Sequence, residues 1–136
     1  MTINRNDPTP PLVLVFAASD PTGGAGVQAD IMTISGMGCH ALTVITALTV
    51  QDTVGVEDVL SVDSDFVSEQ ARAVLEDLPV QAIKVGFVGS PENISAIAEI
   101  ATDYDEVPVI AYMPNLSWWR EELIDEYLDA FRELLL

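Results

Sequence analysis

Apolar residues come in this chain as short unbroken runs, separated by stretches in which they recur every three or four positions. The first run, Leu12–Ala18, contains no polar residue and lies between Pro11 and Ser19, the pattern of a strand buried on both faces. The spacing next predicts a helix from Gly24 to Met37, with Val27, Ile31, Ile34 and Met37 on one face and Gly38 as its stop. His40–Val50 is rich in Thr, Val and Ile, which favours a strand, and Val54–Val62 reads as a second, more polar one after a turn at Asp52–Gly55. Ser64 is placed to cap a helix running to about Leu75, with Asp65 and Glu69 in its early turns. Ala82–Val88 reads as a short buried strand, and Ser90 and Pro91 open a helix to Thr102. Val107–Met113 is another apolar strand and Ser117–Leu136 a final helix. This alternation predicts an α/β fold with a mostly parallel sheet. Residues 1–11 are expected to be a mobile arm, and 12–136 a single α/β domain.

The last helix carries a full apolar stripe, Trp119, Leu123, Tyr127, Phe131 and Leu134, and the chain stops on Leu134-Leu-Leu136. Most domains finish with a polar, frayed tail. This ending predicts either a reading frame cut before its natural end or a last turn that docks on another chain.

Composition narrows the function. With 136 residues and an apolar fraction of 49%, the chain is one globular domain. Five basic residues against 22 acidic ones give a formal charge of −17, which repels phosphate backbones and anionic membranes alike. No nucleic-acid or membrane partner is expected, and any phosphate must be held by local backbone donors or Mg²⁺. One cysteine, Cys39, excludes an internal disulfide and fits a reducing compartment. With His40 beside it, it cannot make a structural zinc site, and both residues read as structural. No secretory signal or spanning run is present, so a cytoplasmic location is expected.

The candidate chemistry sits where the first strand meets the first helix, in Ser19-Asp-Pro-Thr-Gly-Gly-Ala-Gly26. Gly23, Gly24 and Gly26 allow backbone N–H groups to come close to a small ligand without side chains in the way. Gly24-Ala-Gly-Val-Gln-Ala29 formally satisfies G-x-G-x-x-G/A, the dinucleotide fingerprint. The turn is longer than that fingerprint's, however, and the nearest acid after the second strand, Asp52, comes late. No G-x-x-x-x-G-K-[ST] is present. The glycines also serve the plainer purpose of letting helix and sheet pack closely.

Ser19–Asp30, together with Val44-Ile-Thr-Ala-Leu-Thr-Val-Gln-Asp-Thr53 and Ile83-Lys-Val-Gly86, strongly resembles the hydroxymethylpyrimidine/phosphomethylpyrimidine kinases, members of the ribokinase-like family. The likeness covers roughly Leu12 to Ile110. It implies part of a three-layer α/β/α ribokinase-like fold, an aminopyrimidine substrate, and ATP with Mg²⁺ as the family's phosphate source. Residue by residue, Gln51 matches the family's glutamine, whose carboxamide can pair with a ring nitrogen and the exocyclic amine. Asp30 matches an aspartate near the hydroxymethyl end. Ala18 stands where a small residue, usually glycine, lets the ring approach, Phe87 at an apolar position against the ring, and Thr49 at the pocket wall.

Two departures accompany these matches. The family's Asp-Pro pair after the strand at Val107–Met113 is replaced by Ile110-Ala-Tyr-Met113. The family's later half, with its anion hole, aspartate base and most of the ATP pocket, has no counterpart in these residues. Met113-Pro-Asn-Leu116 is similar to a Thr-Pro-Asn-Leu segment of the family but falls too early to correspond. The expectation is therefore an N-terminal portion of such a kinase, inactive alone, with no catalytic or metal-binding residue of its own and a tendency to self-associate. A non-catalytic binding or assembly module, favoured by the lost acid and the Trp118-Trp119 pair, is the alternative, and a dinucleotide binder the third.

Overall fold

A computed structural model describes residues 9–135; the expected mobile arm thus lies mostly outside the described residues, as does Leu136. In chain order the elements are β1 (Leu12–Ser19), α1 (Gly26–Gly36), β2 (His40–Gln51), β3 (Val56–Ser61), α2 (Ser64–Asp77), β4 (Val80–Val85), α3 (Pro91–Asp103), β5 (Val109–Ala111) and α4 (Glu121–Leu135). The strands form one sheet in the order β3-β2-β1-β4-β5. β1 runs parallel to β2 and β4, and β4 parallel to β5, while β3 folds back antiparallel on β2. The sheet is thus mostly parallel, as the alternating pattern predicts.

Both faces are covered, which gives three layers. On one side lies α1, whose Val27 and Ile34 pack with Val15, Ala17 and Ile45. The predicted stripe on this helix is only half used: Ile31 is 41% and Met37 76% exposed. One helix over two strands presents a narrower seat than that stripe could fill. The opposite face carries α2, α3 and α4 over Leu14, Phe16, Val44, Ile83 and Val85. The middle of the final stripe, Tyr127 and Phe131, is buried in this same core, whereas Leu134 is 44% exposed.

Element ends follow local chemistry. Asp63, one residue before the predicted cap, accepts from the Asp65 N–H at 2.9 Å and starts α2. Ser90 caps α3 as predicted, accepting from the Asn93 N–H at 3.1 Å with Pro91 in the first turn. β5 has three residues, against seven predicted. Its hydrogen bonding nonetheless runs from the Pro108 carbonyl, which accepts from Ile83, to the Tyr112 N–H, which donates to Val85. In the centre of the sheet the Pro11 carbonyl accepts from His40 N–H at 2.8 Å, so pairing begins one residue before β1. Between β2 and β3, Asp52 Oδ1 accepts from Val54 and Gly55 N–H groups, which hold its carboxyl below the ordinary carboxylate range. Asp52 therefore closes a hairpin turn and does not stand ready for a ribose.

The pairing of β1 with β2 is broken once. Its register jumps between Ala17 and Ala18, leaving Thr46 as an extra residue. An extra residue re-aims the side chains beyond it. Thr46 is buried, its hydroxyl donating to the Phe87 carbonyl at 3.3 Å and its own carbonyl accepting from the Val62 N–H at 2.8 Å. Asn93, also buried, ties this region together: its amide nitrogen donates within 2.9 Å of the Val88 carbonyl, 3.1 Å of Val62 and 3.2 Å of Thr46.

Candidate functional site

β1 is the point at which the chain changes sides. The β1-to-β2 connection passes over one face through α1, whereas the path onward to β4 uses α2 on the other face. In open α/β sheets such a switch point leaves a crevice beyond the carboxyl ends of the two strands, the usual seat of a ligand. Here a cleft of about 250 Å³ lies there, lined by the ends of β1 and β4, the start of α1 and the end of β2. That volume suits a small heterocycle better than a whole nucleotide.

Of the glycine turn, Ala25 and Gly26 line the cleft, whereas the predicted Gly23 and Gly24 do not; the turn is organised by Asp20, a carboxylate only 3% exposed. Asp20 Oδ1 accepts from the Thr22 N–H at 2.8 Å and Oδ2 from the Ala25 N–H at 2.9 Å, while the Thr22 hydroxyl donates to the same carboxylate. The Thr22 hydroxyl oxygen in turn accepts from Gly24 at 3.3 Å. Gln28 closes the knot, accepting from the Asp20 N–H and donating to the Ser19 hydroxyl, both at 2.9 Å. Gly23 and Gly26 have φ of +75° and +65°, and a Cβ on Gly26 would lie 2.4 Å from the Ala18 carbonyl. Glycine is therefore required at position 26 on two counts.

This arrangement bears on ATP and Mg²⁺, which the resemblance implies. The N–H groups of Thr22, Gly24 and Ala25 point inward at Asp20 and Thr22 and are not offered to a phosphate. Among the described residues no three His, Cys, Asp or Glu side chains gather to hold a metal. The turn's donors, engaged in this way, are not the groups that would hold a triphosphate.

The other predicted residues all border the cleft. Beyond the Thr46 irregularity, Thr49 and Gln51 stand two apart on β2 and share one face. The Thr49 hydroxyl lies 2.8 Å from the Ser19 carbonyl and 2.7 Å from Gln51 Oε1. With one hydrogen between these two acceptors, the Thr49 hydroxyl ties the Gln51 carboxamide to the end of β1, and the rest of the amide's hydrogen-bonding capacity is left for a ligand. Ala18 is buried at the end of β1, where its methyl group narrows the floor. Phe87 is half-buried; it packs edge-on against Trp118 at 5.5 Å and Trp119 at 5.1 Å, and lies 5.4 Å from Tyr127. It is both core and cleft wall. Tyr127 lies beneath, its hydroxyl accepting from the Val88 N–H at 3.0 Å, and burial pushes its phenol up to about 12.

Asp30, on α1, does not stand free in solvent: Oδ1 pairs with Lys84 Nζ at 2.5 Å, and Oδ2 is shielded. Lys84, quoted in the Ile83-Lys-Val-Gly86 motif, has no role assigned from sequence, although it is the only lysine in the chain and interrupts the apolar strand β4. Tyr112, Pro114, Asn115 and Trp118 likewise have no site role assigned from sequence and supply the far wall. This segment is folded on itself, the Trp118 indole donating to the Asn115 carbonyl at 2.8 Å. Its Pro-Asn pair, set aside on sequence, thus lies at the cleft.

Known proteins share this sequence and this fold. A family model described as phosphomethylpyrimidine kinase matches residues 20–134. The hydroxymethylpyrimidine/phosphomethylpyrimidine kinase of Streptomyces coelicolor is 40% identical over 110 residues, covering 81% of this chain and 41% of that protein. The thiamine biosynthesis bifunctional protein ThiED of Geobacter sulfurreducens is 44% identical over 126 residues, 92% of this chain and 26% of that one. Among solved structures, phosphomethylpyrimidine kinase from Clostridium difficile superposes with a TM-score of 0.81 at 36% identity, over 92% of this chain and 55% of that one. An ADP complex of Bacillus subtilis pyridoxal kinase also gives 0.81, at 25% identity, over 93% and 49%. The chain thus spans about half, or less, of the proteins it matches.

Proposed function

The chain belongs to the phosphomethylpyrimidine kinase family, and on that premise we propose that its cleft is the pyrimidine-binding part of a hydroxymethylpyrimidine/phosphomethylpyrimidine kinase site. One observation supports this above the others: Gln51, fixed by Thr49, faces a small cleft at the sheet's switch point. Its Oε1 would accept from an exocyclic amine and its Nε2 donate to the adjacent ring nitrogen. Phe87 and Trp118 give the cleft aromatic walls against which a flat ring can lie. Gly86, which has no side chain, leaves the floor open to it, whereas the Ala18 methyl group narrows it.

The reaction of the whole kinase would be ATP-dependent phosphorylation of a hydroxymethyl or phosphomethyl group. Phosphoryl transfer depends on positioning and on stabilising charge on the transferred group. In this chain the turn's donors already serve Asp20, and the lining offers one ammonium, Lys84. The 136 residues therefore bind and orient the pyrimidine, and transfer requires groups they do not supply. To test this, the chain is titrated calorimetrically with hydroxymethylpyrimidine, then mixed with it, ATP and Mg²⁺. Binding without turnover is expected; steady phosphate transfer above background overturns the second half of the reading, and absence of binding the first.

A binding or assembly module is the second reading, favoured by the inward-turned glycine loop and by the Tyr112–Trp118 wall. Supplying the rest of a family kinase on a separate or longer chain distinguishes the two: restored transfer supports the kinase.

A further inference from the structure

Asn93 lies in the first turn of α3, fully buried, and does not line the cleft. Its side-chain nitrogen faces four acceptors at once: the carbonyls of Val88, Val62 and Thr46 at 2.9, 3.1 and 3.2 Å, and the Ser61 hydroxyl at 3.3 Å. Two hydrogens shared among these acceptors tie together the end of β3, the extra residue of β2 and the turn between β4 and α3. Its own Oδ1 is buried and accepts no hydrogen bond among the described residues. Such an amide is a costly choice for packing alone, where an apolar side chain would serve. Gly89 lets the same turn press on β2: at its φ of +87°, a Cβ would lie 3.0 Å from the Ala47 Cβ and 3.3 Å from the Thr46 carbonyl.

What is held there decides which way the end of β2 faces. Ile45 packs on the α1 side with Val15 and Ala17, and Val44 in the three-helix core. Unbroken alternation would put the later odd-numbered residues, Thr49 and Gln51 included, on the α1 side as well. The extra residue at Thr46 reverses this: Ala47 pairs with Ala18 and meets Gly89, in the turn leading to α3. Thr49 and Gln51 follow Ala47 and reach the cleft beside Ala18 and Phe87. We propose that Asn93 is a positioning residue, which holds Thr46 out of regular pairing and thereby aims Gln51 at the amine of the ligand. This rests on the pyrimidine reading above. The Thr46 carbonyl accepts from two donors, the Asn93 amide and the Val62 N–H. With the amide gone, the end of β2 is free to slip toward the regular register, and a slip of one residue turns Gln51 to the other face.

The experiment uses the 136-residue chain and two ligands, hydroxymethylpyrimidine with its ring amine and the same molecule without the amine. Calorimetry is expected to show the unaltered chain preferring the amine by about ten-fold, as for one good hydrogen bond. In Asn93→Ala, folded by circular dichroism, that preference is expected to fall to within about two-fold, with the amine-free ligand bound as before. A merely structural role would weaken both ligands alike, and that result overturns the proposal, as does a preference kept in full. Where the variant does not fold, hydrogen exchange in the unaltered chain decides. The Val62 N–H closes on the same Thr46 carbonyl, so its exchange is expected to slow with the amine-bearing ligand and not with the other at equal saturation. Equal slowing by both overturns the proposal. If the unaltered chain binds neither ligand, or both alike, the pyrimidine reading itself fails.

Discussion

Gln51 and Thr49 carry different weights although they touch one another. Removing the amide in Gln51→Ala deletes both ligand contacts, an expected loss of about 1–3 kcal/mol, or roughly 5- to 150-fold in affinity for hydroxymethylpyrimidine by calorimetry. Thr49→Val keeps the amide but frees it to rotate, so a smaller loss is expected. Gly26→Ala tests the backbone instead: the left-handed φ and the 2.4 Å approach to the Ala18 carbonyl predict a destabilisation of more than about 2 kcal/mol in urea unfolding. At this scale the sequence was legible where a residue type is tied to a shape, as with Gln51 and the glycines. It was opaque where meaning comes from a partner far along the chain. Nothing local marks Asp30 as paired until Lys84, on β4, is beside it.

Tyr127 links the residue to its element. Its phenol is held neutral by burial on α4, with a folded value of about 12 against an ordinary 10.0. Because the folded value is the higher, the associated stability is complete below about pH 10 and is lost as pH rises toward 12, up to about 3 kcal/mol. Chemical denaturation across that range should show the decline, and Tyr127→Phe should flatten it. The variant also costs about 1–3 kcal/mol at neutral pH, since the Val88 N–H loses its acceptor. Elements built on continuous patterns were legible: β1, α3 with its Ser90-Pro91 start, and α4. Those governed by tertiary context were less so. β5 is three residues long because prolines 108 and 114 flank a run that only its neighbour β4 makes a strand. The face of α1 is narrower than its periodicity because one helix covers two strands. No local pattern announces the extra residue at Thr46, which aims Thr49 and Gln51.

The whole molecule has an uneven rim. β3 and β5 are the two edge strands, β3 with Leu60 67% exposed and the short β5 with Ile110 65% and Val109 37% exposed. An open apolar strand edge is a template for pairing. Sedimentation is expected to show mass rising with concentration, and Ile110→Lys to reduce it; a monomer over a wide concentration range would count against this. With Tyr127 and Phe131 packed inside, the last helix is the weaker candidate for such contact.

The central place of β1 has a consequence for how the chain is made. This most apolar strand is synthesised before its partners on either side, β2 arriving at once and β4 only near residue 80. Phe16 waits on the ribosome for Val85. At about 5–20 residues per second, β1 stays half-paired for several seconds while its second face has nothing to lie against. Nascent chains stalled just after β3 should therefore bind a holdase chaperone, and those extended past α3 should let it go.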